Sequence, residues 1–267
     1  MIEKLYKILN QGSNVIRYKN ARILAYHSIH EDIADPWTVS PQMLSLHLQI
    51  LYEHNFKIWS HSKLVTALKN GHDVTRVVTL SFDDGFRDFK TNALPILQRY
   101  KVPAIVYVPT EKLGKTSNWS SYAPGRPLLS WNDLYEIQNS GVEITIGNHS
   151  LTHKHLPLLT DDELSMEIDK SYEELKVRLG ITDQHFAYPY GECGLRERNL
   201  VEKRGFSSAV TFNGLWGNPP FTDLFLLARS PMLASHSLSH FISIIHGRQD
   251  WQQMLQRLQS RFVRPRT

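Results

Sequence analysis

The stretch "VVTLSFDDGFRD", residues 77–88, decides how the chain is read. Val77, Val78, Leu80 and Phe82 make a short apolar run that reads as a buried strand. Asp83 and Asp84 follow without a gap, and Gly85 lets the backbone turn sharply after them. Adjacent residues within a strand point to opposite faces, but at a strand end both can reach one site. A turn or a helix cap accounts for one such aspartate and accounts less well for two.

Outward from this strand, strand and helix patterns alternate. Strands are expected at 22–26, 56–60, 76–82, 103–109, 142–147, 185–190 and 206–212, with a weaker one in "FLLARSPM". Helices are expected at 40–55, with Ser40 as cap and Pro41 in the first turn, and at 62–71, ending at Gly71. Others follow at 130–141, at 160–180 with a capping box of Thr160 and Glu163, and around "RERNLVEKRG". The helical stretch up to Tyr100 is expected to kink at Pro95. Such alternation predicts a parallel sheet with helices outside, and a barrel or an open sheet both fit. In either, chemistry collects at the C-terminal ends of the strands.

Composition narrows the function. Of 267 residues, 41 % are hydrophobic and 21 % charged, which suits a packed globule. A net charge of +4, from 30 basic and 26 acidic residues, is too mild to argue for nucleic acid. Cys193 is the lone cysteine, so neither an internal disulfide nor a cysteine metal site is expected. No run of about 18 apolar residues suggests a transmembrane helix. The opening "MIEKLYKILNQG" is too charged for a signal peptide, and a cytoplasmic location, or one at the cytoplasmic membrane surface, is the expectation. Residues 1–20 read as an amphipathic helix packed on the domain, with weak membrane-surface association as the alternative. The domain itself is placed at 21–250, and 251–267 read as a C-terminal helix or tail.

Two further strand ends carry unusual residues. In "GNHSLTHKHL" (147–156), His149 and His153 are four apart, a spacing that puts both imidazoles on one side of a helical turn. His155 does not share that face. Two imidazoles and a carboxylate make a zinc-type shell with room for water. One aspartate of the pair can then be the third ligand and the other the base. In "FAYPYGECG" (186–194), Tyr188, Pro189, Tyr190 and Gly191 form a rigid aromatic turn, either a packed loop or a groove wall offering an N–H to an oxyanion. Trp119, Tyr122 and Trp216 could stack on sugar rings or belong to the core.

These pieces resemble the polysaccharide deacetylases, the NodB-type domain of carbohydrate esterase family four. "SFDDG" resembles the first motif, T-F-D-D-G; "HSLTH" matches the second, H-[ST]-x-x-H; "AYPYG" resembles the third, often R-x-P-Y-G. The likeness covers roughly residues 20–250. It implies a distorted (β/α) barrel of about seven parallel strands. It also implies metal-dependent removal of an acetyl group from N-acetylated hexosamine units of a polysaccharide or glycolipid. Carried onto this chain, it makes Asp83 the base and gives the metal to Asp84, His149 and His153. Zinc is the first expectation for that metal, with nickel or cobalt able to replace it. Ser150 would brace the histidine loop, and Tyr190, after Pro189, would present its N–H to the oxyanion.

The chain departs from the family at Ala187, where many members carry the arginine that orients the base; Arg229 in "LLARSP" is the candidate replacement. "ILAYHSI" resembles the poly-N-acetylglucosamine deacetylase-like subgroup. With the first and last strands of a barrel adjacent, this places the general acid at His27 rather than at His246, which reads as a helix-end residue. The rivals are an O-acetyl esterase using the same residues and a non-catalytic sugar-binding protein. A two-metal phosphoesterase lacks its second ligand cluster.

Overall fold

The computed structural model describes residues 20–32, 35–119, 125–212 and 217–247. The expected terminal helices at 1–20 and 251–267 fall outside these residues, Asn20 aside, as do Tyr122 and Trp216.

The chain starts with β1 (Arg22–Tyr26), then a small parallel pair, β2 (Ser28–Ile29) and β3 (Thr38–Val39). Helix α1 (Pro41–Glu53) starts at Ser40, whose hydroxyl accepts from the Met43 N–H at 3.1 Å. This removes one of the unpaired donors of a helix start. Strand β4 (Lys57–Ile58) and helix α2 (His61–Lys69) lead into β5 (Val77–Phe82), where all six residues are buried. The kink expected at Pro95 takes another form. A π-helical turn spans Phe89–Ala93, and α3 (Leu94–Tyr100) starts after it with Pro95 in its first turn. The π-helical turn lies just before the proline, which has no N–H to give to the carbonyls of that turn.

Strand β6 (Ala104–Val108), helix α4 (Trp131–Gln138) and strand β7 (Ile144–Asn148) follow. Helix α5 (Asp161–Leu179) opens with the expected Thr160–Glu163 capping box and ends at Gly180 in the left-handed conformation. Then come β8 (His185–Ala187), α6 (Leu195–Lys203), β9 (Ser208–Thr211), β10 (Leu227–Ala228), β11 (Ser230–Pro231) and α7 (Leu238–Ile245).

Nine strands join one sheet in the order β10-β9-β8-β7-β6-β5-β1-β11, with β4 beside β5. Every pairing in it is parallel. The weak last strand of the sequence proves to be two dipeptides of one segment. Leu227 and Ala228 pair with β9, Ser230 and Pro231 pair with β1, and Arg229 sits between. That segment brings both ends of the sheet together, so the architecture is a barrel. The distortion lies at β5: β4 pairs with its first residues, Val77 and Val78, and β6 with its last, Ser81 and Phe82.

The side-chain alternation of strands sorts the core into two layers. Ile23, Val77, Ile105, Tyr107, Ala187, Val210 and Leu227 cluster with Leu64, Val65 and Leu68 of α2. The opposite set, including Leu24, Val78, Leu80 and Val106, packs under the outer helices with Leu44, Leu48, Leu97, Leu134 and Phe241. Both faces of the central strands are thus buried, as expected of a parallel sheet covered on both sides. Among the described residues, no helix is long and apolar enough to cross a membrane.

Candidate active site

Five strand ends converge at the upper mouth. β1 delivers His27, β5 delivers Asp83 and Asp84, β7 delivers His149, β8 leads to Pro189 and Tyr190, and β9 to Phe212. Parallel strands point all of these ends the same way. A pocket of about 250 Å³ is lined by His27, Asp83, Asp84, His149, His153, Tyr190, Trp37, Trp119 and Phe212, among others.

Asp84, His149 and His153 form the one cluster of three metal-competent side chains among the described residues, with their ligand atoms within 4.8 Å of one another. Nε2 of His153 lies 3.0 Å and Nε2 of His149 3.5 Å from Oδ1 of Asp84. His149 Nδ1 donates to the Ala187 carbonyl at 2.8 Å. This fixes the tautomer and leaves the Nε2 lone pair facing Asp84, the arrangement expected of an imidazole ligand. All three residues are buried. Burial pushes the Asp84 carboxyl up, but His153 and His149 more than reverse that and hold it well below the usual carboxylate range. A donor set of two imidazoles and one ionised carboxylate suits a divalent cation.

The histidines meet by a route other than the helical turn that their spacing predicts. Residues 149–155 form no helix; Ser150 (φ 66°) and His153 (φ 64°) take left-handed backbone conformations. A loop therefore folds back on itself to return His153 to His149. Ser150 N–H donates to Asn148 Oδ1 at 2.9 Å, and Ser150 Oγ accepts from His153 N–H at 3.0 Å. Glu167 of α5, 1 % exposed, accepts from the N–H groups of Leu151 (3.1 Å) and Thr152 (2.8 Å) and from the Thr152 hydroxyl. Asp84 (φ 70°) and Tyr190 (φ 60°) are left-handed too, so four non-glycine residues of the site share a conformation that is uncommon elsewhere. Gly85, also left-handed, has no room for a side chain: a Cβ there would lie 2.9 Å from Val108 Cγ1.

Asp83 stands outside the donor set but lines the same pocket. Arg229 grips its carboxylate with two hydrogen bonds, Nη1 to Oδ1 at 2.6 Å and Nη2 to Oδ2 at 2.7 Å. The guanidinium is fully buried and lies 4.5 Å from the Phe212 ring centroid. Two-pronged pairs of this kind fix orientation as well as charge. An arginine from the closing segment thus reaches the carboxylate in a chain that has Ala187 in the third motif.

His27 Nε2 stands 4.0 Å from Asp83 Oδ2. Its ring packs against Trp37 with centroids 4.6 Å apart. Burial lowers its pKa, against the opposing pull of Asp83 and Asp84. His246 is elsewhere: it ends α7, with its Nε2 3.0 Å from His54 Nδ1. Tyr190, 39 % exposed, sits at the mouth with His155 stacked on it at 3.7 Å. Trp119 stacks on His153 at 4.5 Å and so belongs to the pocket wall.

The sequence reading missed Trp37, Phe212, Asp35 and Glu167. Glu167 left a trace there, as a charged residue in the buried stripe Leu164, Ile168, Ser171, Leu175. Trp37 and Asp35 stand in a loop without periodicity, and Phe212 reads only as the last residue of a strand.

Comparison with known proteins supplies the family. The polysaccharide deacetylase family model matches residues 70–209, just over half of the chain. The chain belongs to the polysaccharide deacetylase family. It is 25 % identical over 182 residues to the poly-beta-1,6-N-acetyl-D-glucosamine N-deacetylase of Staphylococcus epidermidis, covering 66 % of this chain and 61 % of that protein. The protein of the same name from Escherichia coli is 23 % identical over 247 residues, 79 % of this chain and 37 % of its own. The chain thus spans under two thirds of the length of these relatives. Among solved structures, IcaB from Ammonifex degensii superposes with a TM-score of 0.75 at 21 % identity, covering 86 % of this chain and 97 % of that one. The Streptococcus pyogenes deacetylase PplD superposes with a TM-score of 0.70 at 24 % identity, covering 85 % and 98 %. These superpositions agree with the family's barrel fold.

Proposed function

We propose that this chain is a metal-dependent hydrolase that removes the acetyl group from N-acetylated hexosamine units of a polysaccharide or glycolipid. One observation carries the reading: a carboxylate outside the donor set, Asp83, is held by Arg229 beside the Asp84–His149–His153 cluster in one pocket. Relatives named as N-deacetylases of an N-acetylglucosamine polymer support the substrate class. The pocket, at about 250 Å³, is small beside ordinary ligand sites of roughly 300–1,000 Å³. It suits the acetamido arm of one sugar residue, with the rest of the chain outside.

Asp84, His149 and His153 would hold the cation, most simply zinc; nickel and cobalt suit the same donors. Such an ion acidifies water and polarises a carbonyl. Asp83 takes a proton from the attacking water as its oxygen bonds to the acetyl carbon. Arg229 keeps that carboxylate ionised and aimed. The Tyr190 N–H, in the turn after Pro189, stabilises the oxyanion. When the carbon–nitrogen bond breaks, its electron pair goes to nitrogen, and His27, acting in its imidazolium form and left as the neutral imidazole, delivers the proton that makes the leaving group an amine. Acetate and a free amino sugar result.

The test is acetate release from N-acetylglucosamine oligomers, with and without a chelator, followed by mass loss of one acetyl. Chelator-sensitive release, restored by zinc, is expected. Release from O-acetylated glycans alone would replace the reading with an esterase. Sugar binding without any turnover would replace it with a binding protein.

A further inference from the structure

His27 is placed by packing. Its Nε2 is 4.0 Å from Asp83, too far for a hydrogen bond, and its buried Nδ1 has no hydrogen-bond partner among the described residues. What fixes the ring is aromatic packing, tilted by 46° against Trp37 at 4.6 Å and near-parallel to Phe212 at 6.2 Å. The position of Trp37 therefore bears on the position of the imidazole. Trp37 stands in a loop, and its backbone N–H donates to Asp35 Oδ1 at 2.7 Å. Asp35 Oδ2 accepts from Thr38 Oγ1 at 3.0 Å and pairs with Arg126 Nη2 at 3.1 Å.

Arg126 also holds the other side of His27. Its Nη1 donates to the hydroxyl of Ser28, the residue next to His27, and lies 4.0 Å from Asp88 Oδ2. Ser28 in turn donates to Asp88 Oδ2 at 2.5 Å, and the Ile29 N–H donates to Asp88 Oδ1 at 3.1 Å. The Arg126 side chain is 17 % exposed, that of Asp35 7 % and that of Asp88 12 %, so the cluster is largely shielded from water. One arginine thus ties the residue after His27 to the loop whose tryptophan covers His27. It comes from a separate segment whose backbone is pinned by Ser117 N–H to Arg126 O (2.8 Å) and Arg87 N–H to Pro127 O (2.9 Å).

We infer that Arg126, through Asp35 and Ser28, is the positioning residue for the general acid His27. The inference rests on the reading of the site as an N-deacetylase. A displaced acid penalises a substrate whose leaving group must be protonated. It spares an ester whose leaving group departs as a stable anion. Misplacement by about 1 Å can cost on the order of 100-fold.

The experiment compares Arg126→Ala, Arg126→Lys and Asp35→Asn with the wild type and His27→Ala, all zinc-loaded, on an N-acetylglucosamine oligomer and on 4-nitrophenyl acetate. Zinc content and Tm are measured for each. Arg126→Ala is expected to lose about 10- to 100-fold in kcat on the amide, with a change of less than about 3-fold on the ester and full zinc content. Asp35→Asn, which keeps a hydrogen bond to Trp37 available but removes the charge, should show the same pattern more weakly. It remains informative if the arginine variant does not fold. Arg126→Lys should recover part of the amide activity. Added to His27→Ala, Arg126→Ala should cost nothing further on the amide. Equal losses on both substrates, or additive losses with His27→Ala, would overturn the inference and leave the proposed function standing. A wild type that deacetylates no N-acetylated sugar would overturn both.

Discussion

Asp83 and Arg229 lie 146 positions apart in the chain, and their contact sets the ionisation of the proposed base. Burial alone would raise the Asp83 carboxyl; the Arg229 guanidinium, first among the groups opposing burial, brings it below the usual value of 3.8. A general base works only when ionised, so in the wild type Asp83 is competent throughout the neutral range. Replacing Arg229 by Met leaves burial opposed by less positive charge. The carboxyl then rises, and less of it is ionised at pH 5–6 than at pH 8. The acid limb of kcat/KM should move to higher pH in Arg229→Met. It should stay in place in Arg229→Lys, where kcat falls because one ammonium cannot grip both oxygens. The Met variant should also be destabilised by about 3–5 kcal/mol, since a buried charge loses its partner. An unmoved limb in a folded Arg229→Met would show that Asp83 is not the titrating base. The sequence made Asp83 conspicuous and offered Arg229 only as the candidate replacement for the arginine that the family resemblance implies, since the pairing depends on barrel closure.

At the scale of elements, the histidine loop and α5 act as one unit. The loop carries two left-handed residues, Ser150 and His153, a conformation that persists when surrounding contacts impose it. Glu167 provides those contacts from inside the helix face. Glu167→Ala strands the Leu151 and Thr152 N–H groups and should cost roughly 3 kcal/mol or more, hydrogen bonds to charged groups being worth about 1.5–3 kcal/mol each. It should also weaken zinc binding by about 10- to 100-fold, as loss of groups supporting metal ligands does. Thr160→Ala, at the exposed start of the same helix, should cost about 1 kcal/mol and leave zinc affinity alone. Competition titrations with a zinc chelator and thermal melts separate the two. Equal zinc affinity in Glu167→Ala and wild type would remove the carboxylate from the support of the site. The capping box was legible because it is local, three residues apart; the partners of Glu167 were not, because they lie 15 and 16 residues away across a turn without helical or strand period.

At the scale of the whole molecule, the donor set joins the ends of β5 and β7 and exists only in the folded barrel. A ligand that binds the folded state alone stabilises it, by about 2.7 kcal/mol at a free concentration 100 times Kd. For a chain of this size each kcal/mol is worth roughly 2–4 °C, so saturating zinc should raise Tm by about 5–10 °C. A chelator should reverse the rise, and His153→Ala and Asp84→Asn should lose most of it. Asp83→Asn should keep it while losing turnover. If Asp83→Asn loses the shift and Asp84→Asn keeps it, the two aspartates exchange roles.

Local pattern was enough for the alternation of strands and helices, for the caps at Ser40, Thr160 and Glu163, and for the strand-end positions of Asp83, Asp84 and His149. Each follows from a strand period of two, a helix period near 3.6, or hydrogen bonds within one turn. Tertiary structure alone decided the split of 227–231 between β9 and β1, the reversal that brings His153 to His149, the grip of Arg229 on Asp83 and the tie of Arg126 to Asp35 and Ser28. These contacts join residues distant in the chain through sheet closure and left-handed turns. Their energy is realised only after the barrel has closed, so no local pattern of residue types records them.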